Sequence, residues 1–197
     1  MMSIIKYQNR FVSVEGQFTM RFNFVDKYRK YWEHKSNQKI LHEIIKALQD
    51  GAIIPDSFYS LSFAHKSHPK LNLKGSTLEH LNITEKNLNN ILFSYANIRM
   101  SQLIDCDFDG SEFIETDLTG ANLTGCNFQS CLMLKVNLSN ANLSNAILTN
   151  ANLIGANLTN ANLTGADLRG ANLYGVNLTG TILTNADLRD AKFGKLA

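Results

Sequence analysis

The chain of 197 residues lacks the motifs by which most enzymes and membrane proteins are recognised. It has no Gly-rich phosphate loop and no G-x-S-x-G element, and no residues stand out as a nucleophile or an acid–base pair. No apolar run approaches the roughly 18 residues of a membrane span, and the first residues lead into no signal peptide. We therefore expect a cytoplasmic protein that is not an enzyme, uses no cofactor and does not enter a membrane.

Cysteine is scarce, with three copies, and the five histidines show no metal-ligand spacing with them, so we expect no metal site. Cys106, Cys126 and Cys131 all fall where a short repeat, described next, otherwise places Ala, Ser or Thr. Cys106 and Cys126 are four repeat units apart, which would bring them close enough for a disulfide in the predicted fold. A cytosolic redox potential favours the reduced thiols.

What dominates the chain is a repeat of five residues that keeps its register from residue 71 to residue 193. Each unit has a centre, which is Leu, Ile, Phe or Met, and there are 25 centres from Leu73 to Phe193. Two residues before the centre is a small position, and one before it is an Asn position, usually Asn or Asp. After the centre come an outward position, usually polar, and a corner position, often Gly. The cleanest stretch is Ala151 to Tyr174, ANLIGANLTNANLTGADLRGANLY.

A period of five fits neither the 3.6-residue period of a helix nor the two-residue period of a strand. It does fit a four-sided coil in which each unit forms one side and one turn, with the centre and the small position facing inward. Coils of four units then stack at roughly 4.8 Å, the ordinary spacing of strands. The repeat therefore predicts an all-β solenoid of about six coils.

The repeat resembles the pentapeptide-repeat family, whose A(N/D)LxG consensus is present in AlaAsnLeuThrGly at 121–125 and AlaAspLeuArgGly at 166–170. The resemblance covers residues 71–193 and implies a right-handed quadrilateral β-helix. Members of the family include scaffolds, regulators, bacterial effectors and DNA-mimicking inhibitors of gyrase. The resemblance thus implies a fold, and it suggests a function only by analogy.

The sequence divides into an N-terminal module at 1–70, the repeat at 71–193 and a short tail at 194–197. The module is basic, with 11 Lys or Arg against 6 Asp or Glu, and it is predicted to be a small α+β unit that covers the first coil. Its pattern predicts a hairpin over 10–24 and a helix from Asp26 to about Gln49, and Ser36–Asn37 is the candidate place for a break in this helix. At the other end, the last coil needs a cover, so a homodimer through the C-terminal coil is one hypothesis.

Two features of the repeat are candidate binding surfaces. Along one side of the rod, outward positions that lie four units apart are apolar, which predicts an apolar stripe that binds a partner protein or a second copy of this chain. The stripe consists of Ile114, Leu134, Ile154 and Tyr174, with Leu92 and Leu132 widening it. The alternative occupant of the stripe is the N-terminal helix of this chain.

The second candidate surface is an acidic cluster that covers about half of one coil, formed by Asp105, Asp107, Asp109, Glu112, Glu115 and Asp117. It leaves open the alternative of a DNA-mimicking inhibitor of gyrase, although residues 71–197 carry a net charge of only −3, from 8 basic and 11 acidic residues. Direct binding of nucleic acid is not expected, because the basic residues of the module alternate with apolar ones as on a solvated helix face. The first expectation is a protein-interaction scaffold or regulator with a partner of unknown identity.

Overall fold

The structure, a computed structural model, describes residues 30–50, 71 and 73–194. In chain order, helix α1 spans Lys35–Asp50, and four short strands follow it. Their bounds are Asn82–Thr84 for β1, Gln102–Ile104 for β2, Asn172–Tyr174 for β3 and Lys192–Gly194 for β4. β1 pairs with β2 and β3 pairs with β4, both in parallel. No helix in these ranges is long and apolar enough to cross a membrane.

The repeat closes into a coil of four units, as the sequence predicts. Every parallel pairing along it joins residues in the same place of successive coils, for example Ile83 with Leu103 in β1 and β2, and Asn122 with Asn142 further on. Leu123 N donates to Asn142 O at 2.7 Å, and Asn142 N donates back to Ala121 O at 2.9 Å. Stacked coils thus satisfy each other's backbone groups, and the result is a right-handed quadrilateral β-helix.

Each side of the coil ends in a tight turn whose third residue is the corner position. Cys126 N donates to Leu123 O at 3.2 Å, which closes such a turn. Every corner position from Gly75 to Asp190 has a positive φ, including Lys135 at 53°. Gly and Asn adopt this left-handed region at little or no cost, which explains their frequency at the corners.

The interior of the rod is a continuous apolar column built from the centres and the small positions. Four phenylalanine centres on two adjacent sides interlock within it. Phe93 stacks on Phe113 with centroids 5.0 Å apart, and Phe108 stacks on Phe128 at 5.1 Å. Edge-to-face contacts join the two stacks, and all four rings are buried. This aromatic core lies directly behind one end of the apolar stripe.

The described part of the N-terminal helix packs on the first coil. Trp32, Leu41 and Ile44 are buried in the same core cluster as the first centres, and Trp32 Nε1 donates to Lys74 O at 3.1 Å. Residues 30–33 are also helical, and the bend before α1 lies at His34, just before the break that the sequence suggests. The predicted hairpin over 10–24 lies outside the described residues.

At the other end of the described chain the core becomes exposed. Leu178, Leu183 and Leu188 are half-buried centres, and Phe193 in β4 is 50% exposed. Their counterparts in the middle coils are fully buried because another coil lies on each side of them.

Candidate interaction surfaces

The apolar stripe lies on one flat side of the rod, at outward positions of four successive coils. Its alignment follows from the pairing, because Leu132 faces Asn152 and Asn152 faces Asn172 in parallel register. Tyr174 and the flanking Leu132 are each 40% exposed, and Ile114, Leu134 and Ile154 are half-buried because each is stacked between its neighbours. None of these side chains belongs to the interior, so the stripe is surface that the fold does not require.

Leu92 does not widen the exposed stripe, contrary to the sequence-based prediction, since it is only 6% exposed. Its coil lies between those of Lys74 and Glu112. The Lys74 ammonium reaches Glu112 Oε2 at 3.2 Å and spans the coil that carries Leu92. The outward residue of the same coil, Ser94, is also buried. The exposed apolar surface therefore begins at Ile114.

The acidic cluster is held by neighbouring side chains rather than presented as a free row of carboxylates. Asn127 Nδ2 donates to Asp107 Oδ1 at 2.8 Å, and Arg99 Nη1 lies 3.7 Å from Asp117 Oδ2. Asp117 also accepts hydrogen bonds from Thr119, while Glu112 pairs with Lys74 as described above. Most of the cluster is half-buried, and it runs around the coil rather than along the axis. The ion pair of Arg99 is with Asp117, while Glu79 accepts a hydrogen bond from Asn97 Nδ2 at 2.9 Å.

Near the C-terminal end, two Asp–Arg pairs are stacked on one side of the rod. Arg169 donates from Nε and Nη2 to the two carboxylate oxygens of Asp167, and Arg189 does the same to Asp187. Arg169 Nε also lies 3.8 Å from Asp187 Oδ2, which links the pairs. Hydrogen bonds from Arg189 lower the pKa of Asp187 to about 2, and Arg169 likewise lowers the pKa of Asp167. The charges neutralise each other locally, so this patch is not a strong anion or cation site.

The three thiols are part of the core. Cys106, Cys126 and Cys131 are free and buried, and the thiol of Cys131 donates to Phe108 O at 3.0 Å. Ser111 and Thr116 make the same bond from the small position of their own units. Burial raises the pKa of Cys126 and of Cys131 to about 12, and it also raises the pKa of Cys106. A protonated, buried thiol is a poor nucleophile and a poor metal ligand.

The row of Asn residues is a structural feature of the turns. The side-chain oxygens of Asn142, Asn157 and Asn162 each accept a hydrogen bond from the backbone N–H two residues later, at 3.2, 3.1 and 3.0 Å. This local bond stabilises the turn. Across the described ranges, no group of three or more His, Cys, Asp or Glu side chains is arranged to hold a metal ion.

Sequence reasoning on outward positions alone missed three exposed apolar residues. Ile147 and Ile182 occupy Asn positions and are 39% and 49% exposed, and Met100 occupies a corner and is 52% exposed. The signal that could have found the two isoleucines is their departure from Asn or Asp at that place in the unit. Ile147 and Ile182 lie on two different sides of the rod, and neither is the side of the stripe, so they do not extend it.

The comparison with protein families rests on this repeat. The model of the family "Pentapeptide repeats" matches the chain in 8 copies, over residues 72–110, 101–133, 137–175 and 171–193. The chain belongs to the pentapeptide repeat family. The match covers the β-helix and excludes α1, so family membership is shown for the β-helix and not for the helix. No curated protein matches the chain.

Several solved pentapeptide repeat structures are similar to this chain. QnrB1, described as a plasmid-mediated fluoroquinolone resistance protein, is 19% identical over 59% of this chain and 74% of its own, with a TM-score of 0.43. Rfr23 from the cyanobacterium Cyanothece 51142 is 28% identical over 62% and 90%, with a TM-score of 0.25. HetL from Nostoc sp. strain PCC 7120, involved in the regulation of heterocyst differentiation, is 23% identical over 59% and 88%, with a TM-score of 0.20. These TM-scores are low, and no function is transferred from them.

Proposed function

We propose that this pentapeptide repeat protein is a non-enzymatic interaction scaffold or regulator that binds a partner protein through the apolar stripe. The observation that carries the proposal is a column of aligned apolar side chains, exposed at Leu132 and Tyr174 and half-exposed between them, that the interior does not use. Outward positions on the other sides of the same coils hold Thr, Ser, charged residues or amides, with Ile104 as the exception. Contiguous exposed apolar surface on a soluble protein marks a contact site.

The shape of the rod supports the same proposal. The side that carries the stripe is built from backbone bridges that recur in every coil, so its side chains are held at fixed spacing. A preorganised surface loses little conformational entropy on binding, which favours affinity from a small contact area. Pentapeptide repeat proteins in general act by interaction rather than by catalysis, which agrees with this use of the rod.

The gyrase-inhibitor alternative fits the surface less well. Imitation of duplex DNA requires carboxylates along the rod with free charge, because the phosphate backbone carries a charge about every 1.7 Å of axis. Here the acidic cluster follows the circumference, and Asp107, Glu112 and Asp117 are engaged by neighbouring side chains. A supercoiling assay with purified gyrase tests the alternative directly, and inhibition at micromolar protein would favour it.

The experiment for the proposed function compares two double variants in a cross-linking capture from the native cell extract. Ile154→Asp with Tyr174→Ser disrupts the apolar stripe, while Thr159→Asp with Thr179→Ser makes the same kind of change on the adjacent side of the same coils. We expect the stripe variant to lose the captured partner and the control variant to retain it, with both keeping the wild-type circular dichroism spectrum and melting temperature. Equal capture by the wild type, the stripe variant and the control variant contradicts the proposal. A stripe variant that unfolds shows instead that the stripe is covered by this chain.

A further inference from the structure

The side of the rod that carries the apolar stripe is complementary to a second copy of itself related by a two-fold rotation that reverses the direction of the rod. We propose that a second copy of this chain binds there, face to face, with the two rods antiparallel. The inference rests on the proposed function, since it takes the stripe as a contact site and names the partner. A two-fold contact requires that residue i meets residue j while j meets i.

The register of the coils fixes which residues would meet. Residues in the same place of successive coils are stacked in parallel pairs, so one coil step is roughly 4.8 Å along the axis. The coil of Ile154 lies midway between the coil of Glu112 and that of Lys192, two steps from each. A two-fold axis along the strand direction through Ile154 therefore places Ile154 against its own copy. It also places Leu134 against the second copy's Tyr174, and Glu112 against the second copy's Lys192.

Side-chain sizes agree with this pairing. Ile114 would face the second copy's Gly194, the smallest residue among the outward positions on this side of the rod. The Tyr174 ring leans over Gly194, because a Cβ built on that glycine would collide with Tyr174 Cε1. The ring therefore extends toward the last coil, and in the pair it would lie between Leu134 and Ile114 of the second copy. Each large outward side chain thus meets either an apolar neighbour or a gap, while the flanking Leu132 meets Asn172 of the second copy.

The charges at the two ends of the stripe select the antiparallel arrangement. Glu112 and Lys192 both occupy Asn positions on this side and have opposite signs. The antiparallel pair brings each Glu112 to the other copy's Lys192, and the dimer contains this contact twice. Glu112 already lies 3.2 Å from the ammonium of Lys74, so the carboxylate would sit between two cations. In a parallel pair, Glu112 would instead face Ile114, and Lys192 would face Gly194, with no opposite charge to meet.

The size of the surface predicts a weak dimer. Four coil steps give a length of about 20 Å, and a three-residue strand gives a width of about 10 Å. This flat area of about 200 Å² is small beside the roughly 800 Å² of accessible surface per partner in a stable complex. We therefore expect weak self-association, visible only in concentrated solution.

The test uses charge exchange in the full-length protein, followed by sedimentation equilibrium from about 1 to 300 µM. Glu112→Lys and Lys192→Glu are each expected to weaken self-association about tenfold, because each sets like charges against each other at both ends. An equimolar mixture of the two variants is expected to dimerise as well as the wild type, since at both ends of the mixed pair a lysine of one chain meets a glutamate of the other. A mixture restores nothing if either variant had merely lost its fold, so this result is specific to the antiparallel pairing.

Three results would overturn the inference. A wild-type chain that is monomeric at about 300 µM excludes the second copy, while loss of partner capture in the stripe variant would still support the proposed function. Failure of the mixture to restore association, when both variants keep the wild-type circular dichroism spectrum and melting temperature, excludes the antiparallel register. Dimerisation that survives Ile154→Asp but is abolished by Phe193→Ser assigns the contact to the exposed end of the C-terminal coil instead.

Discussion

The corner positions allow a sharp test of the fold, because there the usual preference for alanine over glycine should be reversed. Lys135 has a φ of 53° and an exposed side chain. A residue with a Cβ costs about 1–2 kcal/mol in this left-handed region relative to glycine. Glycine in turn gives the unfolded chain additional entropy worth about 0.4–1 kcal/mol. We expect Lys135→Gly to be more stable than Lys135→Ala by about 0.5–1 kcal/mol, the difference between these two effects.

Both variants remove the same ammonium group and differ only by one methyl group, so charge and side-chain contacts cancel in the comparison. The control is the outward position Ser139, which is not in the left-handed region, and there Ala should be more stable than Gly by about 0.5–1 kcal/mol. Equilibrium urea unfolding followed by circular dichroism measures both differences, and a melting temperature about 1–4 °C higher should accompany Lys135→Gly relative to Lys135→Ala. If alanine is as stable as glycine at position 135, the left-handed corner is refuted.

Three further predictions concern the core and the charges. Phe113→Ala should destabilise the protein by about 3–5 kcal/mol in urea unfolding, while Phe113→Leu, which restores the commonest centre residue, should cost much less. The thiol of Cys126, with its pKa raised to about 12, should resist alkylation at pH 8 in the native protein and react after unfolding in denaturant. The carboxyl of Asp187 should titrate near pH 2 by NMR and return toward its ordinary value in Arg189→Gln. Because the folded pKa is lowered, the stabilisation by this pair is present above about pH 4 and is lost as the pH falls toward 2.

The fold of residues 71–193 could be predicted because the same pattern of residue types recurs in unit after unit. A centre such as Leu123 and a small residue such as Ala121 fill the interior, and the corner residue Gly125 allows the turn. Repeated 25 times in register, this pattern leaves one closed coil as the arrangement that buries all the centres. The pairing of every fourth unit and the buried cysteines were accordingly predicted correctly.

The burial of individual surface residues could not be predicted in the same way. Leu92 occupies an Asn position on the side of the stripe, but the long side chain of Lys74 crosses its coil to reach Glu112. That bridge joins residues almost two coils apart, and no local pattern encodes it. The break in the N-terminal helix was also displaced, from Ser36–Asn37 to His34, because helix ends depend on packing against the first coil as well as on local preference.

The repeat also explains why function resisted prediction while the fold did not. In most units the small position and the centre face the interior, the Asn position forms a turn bond, and the corner position adopts a left-handed backbone, so these places are largely occupied by structural requirements. The outward position is the one that the fold leaves free, and Ile154 and Thr159 fit it equally well. The residues that recognise a partner therefore lie mainly at outward positions. They form a column through successive coils and are not contiguous in the sequence. Exchanging the outward residues of the stripe for Thr should accordingly remove binding while leaving the free energy of unfolding in urea almost unchanged, and a large loss of stability would contradict this division of roles.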